Sequence, residues 1–178
     1  GGSQADDEMG NLWLQLLPSG DGDRRPVLLE ALMRQRVQRS PEDFLGNYNL
    51  GDMLLSRGNA AEALPYFETA SKVAPKNVIA ATEVGVALMS LSKVQEAREQ
   101  FKRALEIDPG FTDARYDLAS AEAANAEWES AASDFQQVIR ERPSDGNARE
   151  HLGEVLMLWG DDFAKAGNFE QAAQRYDE

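Results

Sequence analysis

Four of the seven prolines stand at one interval: Pro41, Pro75, Pro109 and Pro143, each 34 residues after the last. Proline lacks an N–H and clashes with the preceding turn, so each one stops a helix. A beat of this length means one supersecondary unit per repeat, stacked on its neighbours. Other columns keep the same time. Phe67, Phe101 and Phe135 lie eight residues before their prolines, with Met33 in a worn earlier copy. Ala63, Ala97 and Ala131 are in register, as are Ala70, Ala104 and Val138. Leu50-Gly51, Val84-Gly85 and Leu118-Ala119 form a third column.

Within each unit the apolar spacing is helical. Leu50 and Leu54 share a face, and Ala63, Phe67 and Ala70 lie three or four apart. Gly58-Asn59 divides the unit, because glycine takes the left-handed conformation that ends a helix and asparagine starts the next. Small residues such as Gly51 and Ala63 let the paired helices approach, with Phe67 filling the space beside them. The expectation is an all-α stack of helix pairs. Ser40-Pro41-Glu42-Asp43 adds a start signal of cap, proline and acid.

The 34-residue length, Leu50-Gly51, Ala63, Phe67, Ala70 and Pro75 resemble the tetratricopeptide repeat. The resemblance covers roughly residues 41–178. It implies a right-handed α-solenoid of antiparallel helix pairs whose first helices line a concave groove. Such arrays usually bind peptides or proteins and do no chemistry.

The expected organisation is a fusion scar (GGS) and acidic tail over 1–9, a degenerate helix pair over 10–40, and an array over 41–178. Its repeats span about 44–77, 78–111, 112–145 and an atypical, truncated 146–178. Trp13 falls where the family favours a large aromatic, ahead of the break at Pro18 to Asp23; a helix from about Arg24 to Arg39 follows. Pro65 lies past the first turn of its helix and predicts a kink or a later start. In the last repeat Gly153 and Gly160 both fit the small-residue column, and they lie seven residues apart. Seven residues is about two turns, so the first helix there is expected to be lengthened, running from about 146 to 166. Its apolar middle, Val155 to Trp159, calls for cover on two sides. An internal fit is the plain expectation; an oligomer edge at Met157, Trp159 and Phe163 is the sharper one. The chain stops part-way down the second helix of this repeat, which suggests a fragment of a longer array.

Eighteen basic against 31 acidic residues give a net charge of −13. Such a surface argues against nucleic acid and anionic membranes and favours cationic partners. No apolar run is long enough to insert into a membrane. With no cysteine there is no thiolate chemistry, and either the cytoplasm or a bacterial periplasm fits. The single His151 has no second histidine or cysteine to share a metal. Ser19 to Asp23 faintly suggests a calcium loop, but the twelfth position from Asp21 is Leu32 instead of an acid. No cofactor, metal or catalytic constellation is expected, and the chain is not expected to be an enzyme.

By the geometry of the family, the groove-lining residues are Leu45, Tyr48, Asp52 and Leu55, then Ile79, Thr82, Val86 and Met89, then Asp113, Tyr116, Ser120 and Ala123, with Met157 and Asp161 from the long helix. Members that grip the C-terminal carboxylate of heat-shock chaperones use lysine, arginine and asparagine there. This lining has no such clamp. It suits an apolar segment with a lysine or arginine. Two rival readings are self-assembly through the C-terminal repeat, and service as the recognition arm of an enzyme whose catalytic part lies elsewhere. The arginines of residues 24–40 (net +4) offer a counterpart to the acidic residues 145–178 (net −5) of a neighbouring molecule, although an ordinary solvated face is the plainer expectation.

Overall fold

The computed structural model describes residues 25–177 of the chain, so the expectations for Trp13 and the Ser19–Asp23 loop lie outside the described residues. Among those residues the secondary structure is nine α-helices with no strand. The fold class is the all-α solenoid of antiparallel helix pairs. The described residues divide into two compact units, one ending at Pro75 and the other beginning at Lys76.

In the first unit, α1 (Arg25–Arg39) precedes a hairpin of α2 (Phe44–Ser56) and α3 (Ala60–Val73). Asp43 caps α2 by accepting from Gly46 N at 2.8 Å. The buried amide of Asn47 donates to Pro41 O and Asp43 O, both at 2.8 Å, which fixes the entry to the helix. Between α2 and α3, Gly58 has φ +79°. Gly58 N donates to Leu55 O at 2.8 Å and Asn59 N to Leu54 O at 2.9 Å, the paired bonds that close a helix end around a left-handed residue. Phe67 is fully buried against Gly51, where a Cβ would lie 2.9 Å from its ring.

Two arginines of α1 are engaged inside this unit. Arg34 meets Glu30 and Glu62, both at 2.7 Å, and Arg36 meets Asp43 at 2.5 Å. Arg57 joins Glu30 as well, so Glu30 tethers α1 to the hairpin turn. Helix α3 begins at Ala60 and carries Pro65 inside it, so the later start expected from that proline does not occur. Pro65 and Ala61 are both exposed, and the carbonyl that the missing N–H leaves unbonded sits on the wet side of the helix.

The second unit holds three pairs: α4 (Val78–Ser90) with α5 (Val94–Ile107), α6 (Thr112–Ala124) with α7 (Trp128–Glu141), and α8 (Gly146–Lys165) with α9 (Phe169–Tyr176). Asn77 and Asp145 cap α4 and α8 as Asp43 caps α2, each accepting at 3.0 Å. The small-against-aromatic contact recurs at Gly85 on Phe101 and Gly160 on Tyr176, where a Cβ would lie 2.4 Å from the ring. Helix α8 is 20 residues long, as the two-turn insertion requires, and α9 has only eight. Gly160 therefore holds the small-residue column of the last repeat, while nothing lies within 4 Å of a Cβ on Gly153. The aromatic and alanine columns are buried throughout: Phe101, Phe135, Ala97, Ala104 and Ala131.

Candidate partner-binding surfaces

The expected groove residues fall on the first helices of both units, and their burial sorts them. In the first unit Leu45 is 50% exposed on α2, and Asp52 is exposed two turns later. Tyr48 and Leu55 are half-buried. Tyr48 stacks on Phe44 and meets Phe67 edge-on, each with ring centres 6.0 Å apart, so it shares its ring between surface and core.

In the second unit Ile79 is 44% exposed, in the same register as Leu45. Val86 and Met89 are half-buried along α4. Thr82 is buried, and its hydroxyl donates to Val78 O at 2.9 Å; it packs inside the fold and lines no surface. Asp113 is exposed but engaged by Arg142 at 2.5 Å. Ser120 donates to Tyr116 O at 3.0 Å.

Tyr116 is the centre of a cluster that the sequence did not disclose. Its ring meets Phe135 edge-on at 5.5 Å and His151 edge-on at 5.7 Å, while His151 stacks on Phe135 at 5.8 Å. The Tyr116 hydroxyl lies 3.1 Å from His151 Nδ1, which also lies 2.8 Å from Asn147 O. The 34-residue beat places His151 one step past the column of Tyr116, on the next first helix, and that proximity was the available clue. Burial, then Asp145, Asp117, Glu150 and Glu154, push the Tyr116 hydroxyl above its ordinary value. Asp117 is pushed up to about 6 by burial and then by Asp113. The surface around Tyr116 is thus aromatic and strongly electronegative.

On α8 the expected edge residues part company. Met157 is exposed, and so is its neighbour Leu158. Trp159 packs on the core between α6, α7 and α8, stacks on Phe163 at 5.9 Å, and lies under the Arg175 guanidinium at 4.3 Å. Trp128, at the start of α7, donates its indole N–H to Asp162 of α8 at 2.9 Å. Among the described residues no group of three or more histidine, cysteine or acidic side chains is placed to hold a metal, and no helix is long and apolar enough to cross a membrane.

Comparison with known proteins agrees with this geometry. One tetratricopeptide repeat model matches residues 27–70 and 48–110, and a second matches 88–148. No curated protein is significantly similar in sequence. Among solved structures, MamA from Desulfovibrio magneticus RS-1 is similar over 98% of this chain and 90% of its own, at 16% identity and a TM-score of 0.74. YrrB, described as a TPR protein with an unusual peptide-binding site, is similar over 96% and 80%, at 19% identity and a TM-score of 0.69. The first TPR of Spaghetti (RPAP3), bound to the HSP90 peptide SRMEEVD, is similar over 63% and 89%, at 21% identity and a TM-score of 0.62. With the repeat models spanning most of the described residues and the helix pairs packed as the repeat requires, the chain belongs to the tetratricopeptide repeat family.

Proposed function

We propose that this chain is a non-catalytic interaction module that holds a peptide or protein segment on the first-helix faces of its repeats. One observation carries the reading: Leu45 and Ile79, at the same repeat position, keep branched aliphatic side chains in solvent at 50% and 44% exposure. Two structural relatives support it, since one is described with a peptide-binding site and another with a bound peptide.

The segment that suits these faces is apolar and carries lysine or arginine. In the first unit Leu45 supplies apolar contact along with the ring of Tyr48; in the second, Ile79, Val86 and Met89 do so along with the ring of Tyr116. Asp52, Glu150 and Glu154 supply negative charge. Opposite charge speeds encounter and selects partners more than it adds affinity. A chaperone carboxylate does not suit them, because the lining positions named above hold no lysine or arginine.

An array of short apolar peptides bearing lysine or arginine, each paired with a glutamate-for-base version, tests this. Capture of the basic set, lost in Leu45→Asn with Ile79→Asn, is the expected result. Equal capture of both sets, or capture that ignores the double variant, contradicts it. A second reading, self-association, rests on the exposed Met157 and Leu158. Light scattering of wild type and Leu158→Asp decides that one; a wild-type monomer at high concentration removes it.

A further inference from the structure

Glu122 stands where the two preceding repeats carry Leu54 and Leu88, 34-residue steps earlier. Both leucines are buried, and Glu122 is only 5% exposed. A carboxyl group occupies a slot shaped for an aliphatic side chain.

The charged groups facing it come from both neighbouring helices. Asp134 lies on α7 and Glu127 stands at its start; Lys102 and Arg98 lie on α5. Arg115, on α6 itself, binds Asp134 at 3.3 Å, and Arg98 binds Glu127. Three buried atoms here are left over: Oε2 of Glu122, Nε of Arg98 and Nε of Arg115 make no hydrogen bond. A buried acceptor and buried donors without partners in one neighbourhood carry a desolvation cost that a rearrangement would relieve.

We infer that Glu122 makes the α5–α6–α7 layer a proton-sensitive joint. As a neutral acid its side chain fills the leucine slot; as a carboxylate it draws the Arg98 guanidinium off Glu127 and loosens the start of α7. Burial, then Asp134 and Glu127, push Glu122 up to about 7, against which Lys102 and Arg98 pull only in part. The folded state holds its proton more tightly than the unfolded chain does. The stabilising contribution is therefore complete below the ordinary glutamate value of about 4.3 and is lost as pH rises through about 7. Helix α6 also presents Tyr116 and Ser120, so the joint lies behind part of the surface proposed above. That link rests on the proposed function, whereas the titration does not.

Carboxyl-detected NMR of the whole chain, followed from pH 4 to pH 9, reads the joint directly. A Glu122 midpoint near 7, with the Arg98 Nε resonance moving over the same range, is expected. A midpoint below about 5 overturns the inference, and so does an Arg98 resonance that stays still. Thermal unfolding of wild type, Glu122→Gln and Glu122→Leu at pH 5 and pH 8 is the second arm. The wild type should lose about 5 °C relative to both variants between the two pH values. Parallel pH profiles overturn the inference, and the NMR arm holds even where a variant fails to fold.

Discussion

The ring of Phe101 occupies the space that a side chain on Gly85 would need: a Cβ there would lie 2.4 Å from it. The two residues sit on facing helices, α4 and α5, and the glycine is what lets those helices close. Gly85→Ala should therefore cost about 1–3 kcal/mol through overpacking. Phe101→Ala should cost about 3–5 kcal/mol, because the fully buried ring leaves a cavity. Urea unfolding of both variants measures this. A neutral Gly85→Ala would mean that the pair is looser than described.

The turn inside each repeat needs a left-handed residue, and the four repeats supply it unequally. Gly58 and Gly167 have φ of +79° and +80°, while Ser92 and Ala126 are held at +59° and +58°. The same paired bonds close all four turns. A side chain costs about 1–2 kcal/mol in this conformation, partly offset by the greater chain entropy that glycine loses. Ala126→Gly and Ser92→Gly should each stabilise the protein by roughly 1 kcal/mol, and Gly58→Ala should destabilise it by a similar amount. Melting temperatures of the three variants check the direction.

Asp117 gives a second pH dependence, distinct from that of Glu122. Its folded value is pushed up to about 6, first by burial and then by Asp113. The sign is that of a raised acid: stability is complete below the ordinary aspartate range and falls as pH rises through about 6. Asp117→Asn should flatten the wild-type stability profile over that window. An unchanged profile would place the carboxyl in water.

Helix α8 separates internal packing from surface. Trp159 is engaged by Phe163 and Arg175, so Trp159→Ala should destabilise by about 3 kcal/mol or more. Leu158→Asp, at an exposed position, should leave stability within about 0.5 kcal/mol of wild type. Denaturant midpoints of the pair test this, and comparable losses at the two sites would contradict it.

Much of the fold was legible because one physical rule repeats. Small-against-aromatic contacts and helix-stopping prolines recur every 34 residues, so the pairs and even the lengthened α8 could be placed from Pro143, Gly153, Gly160 and Gly167. The sequence could not choose between Gly153 and Gly160, since each has an aromatic residue sixteen positions later, Phe169 and Tyr176. The left-handed turn at Gly167 decides it, by fixing where α8 folds back.

The surface was harder to read. Thr82 looked like a groove residue by position, but its hydroxyl is satisfied within its own helix, and burial then costs little. Tyr116 was placed on a first-helix face, yet its hydroxyl partner His151 lies on another helix, a contact that periodicity does not specify. Glu122 broke the leucine column in plain view, but charge at a repeat position reads as a solvated face until burial is known.

The most direct test of the account is isothermal titration of the best basic peptide from the array into wild type and into Leu45→Asn with Ile79→Asn. The account predicts at least tenfold weaker binding by the double variant, with folding intact by circular dichroism, and weaker wild-type binding as salt is raised. Equal affinity for both proteins would contradict it.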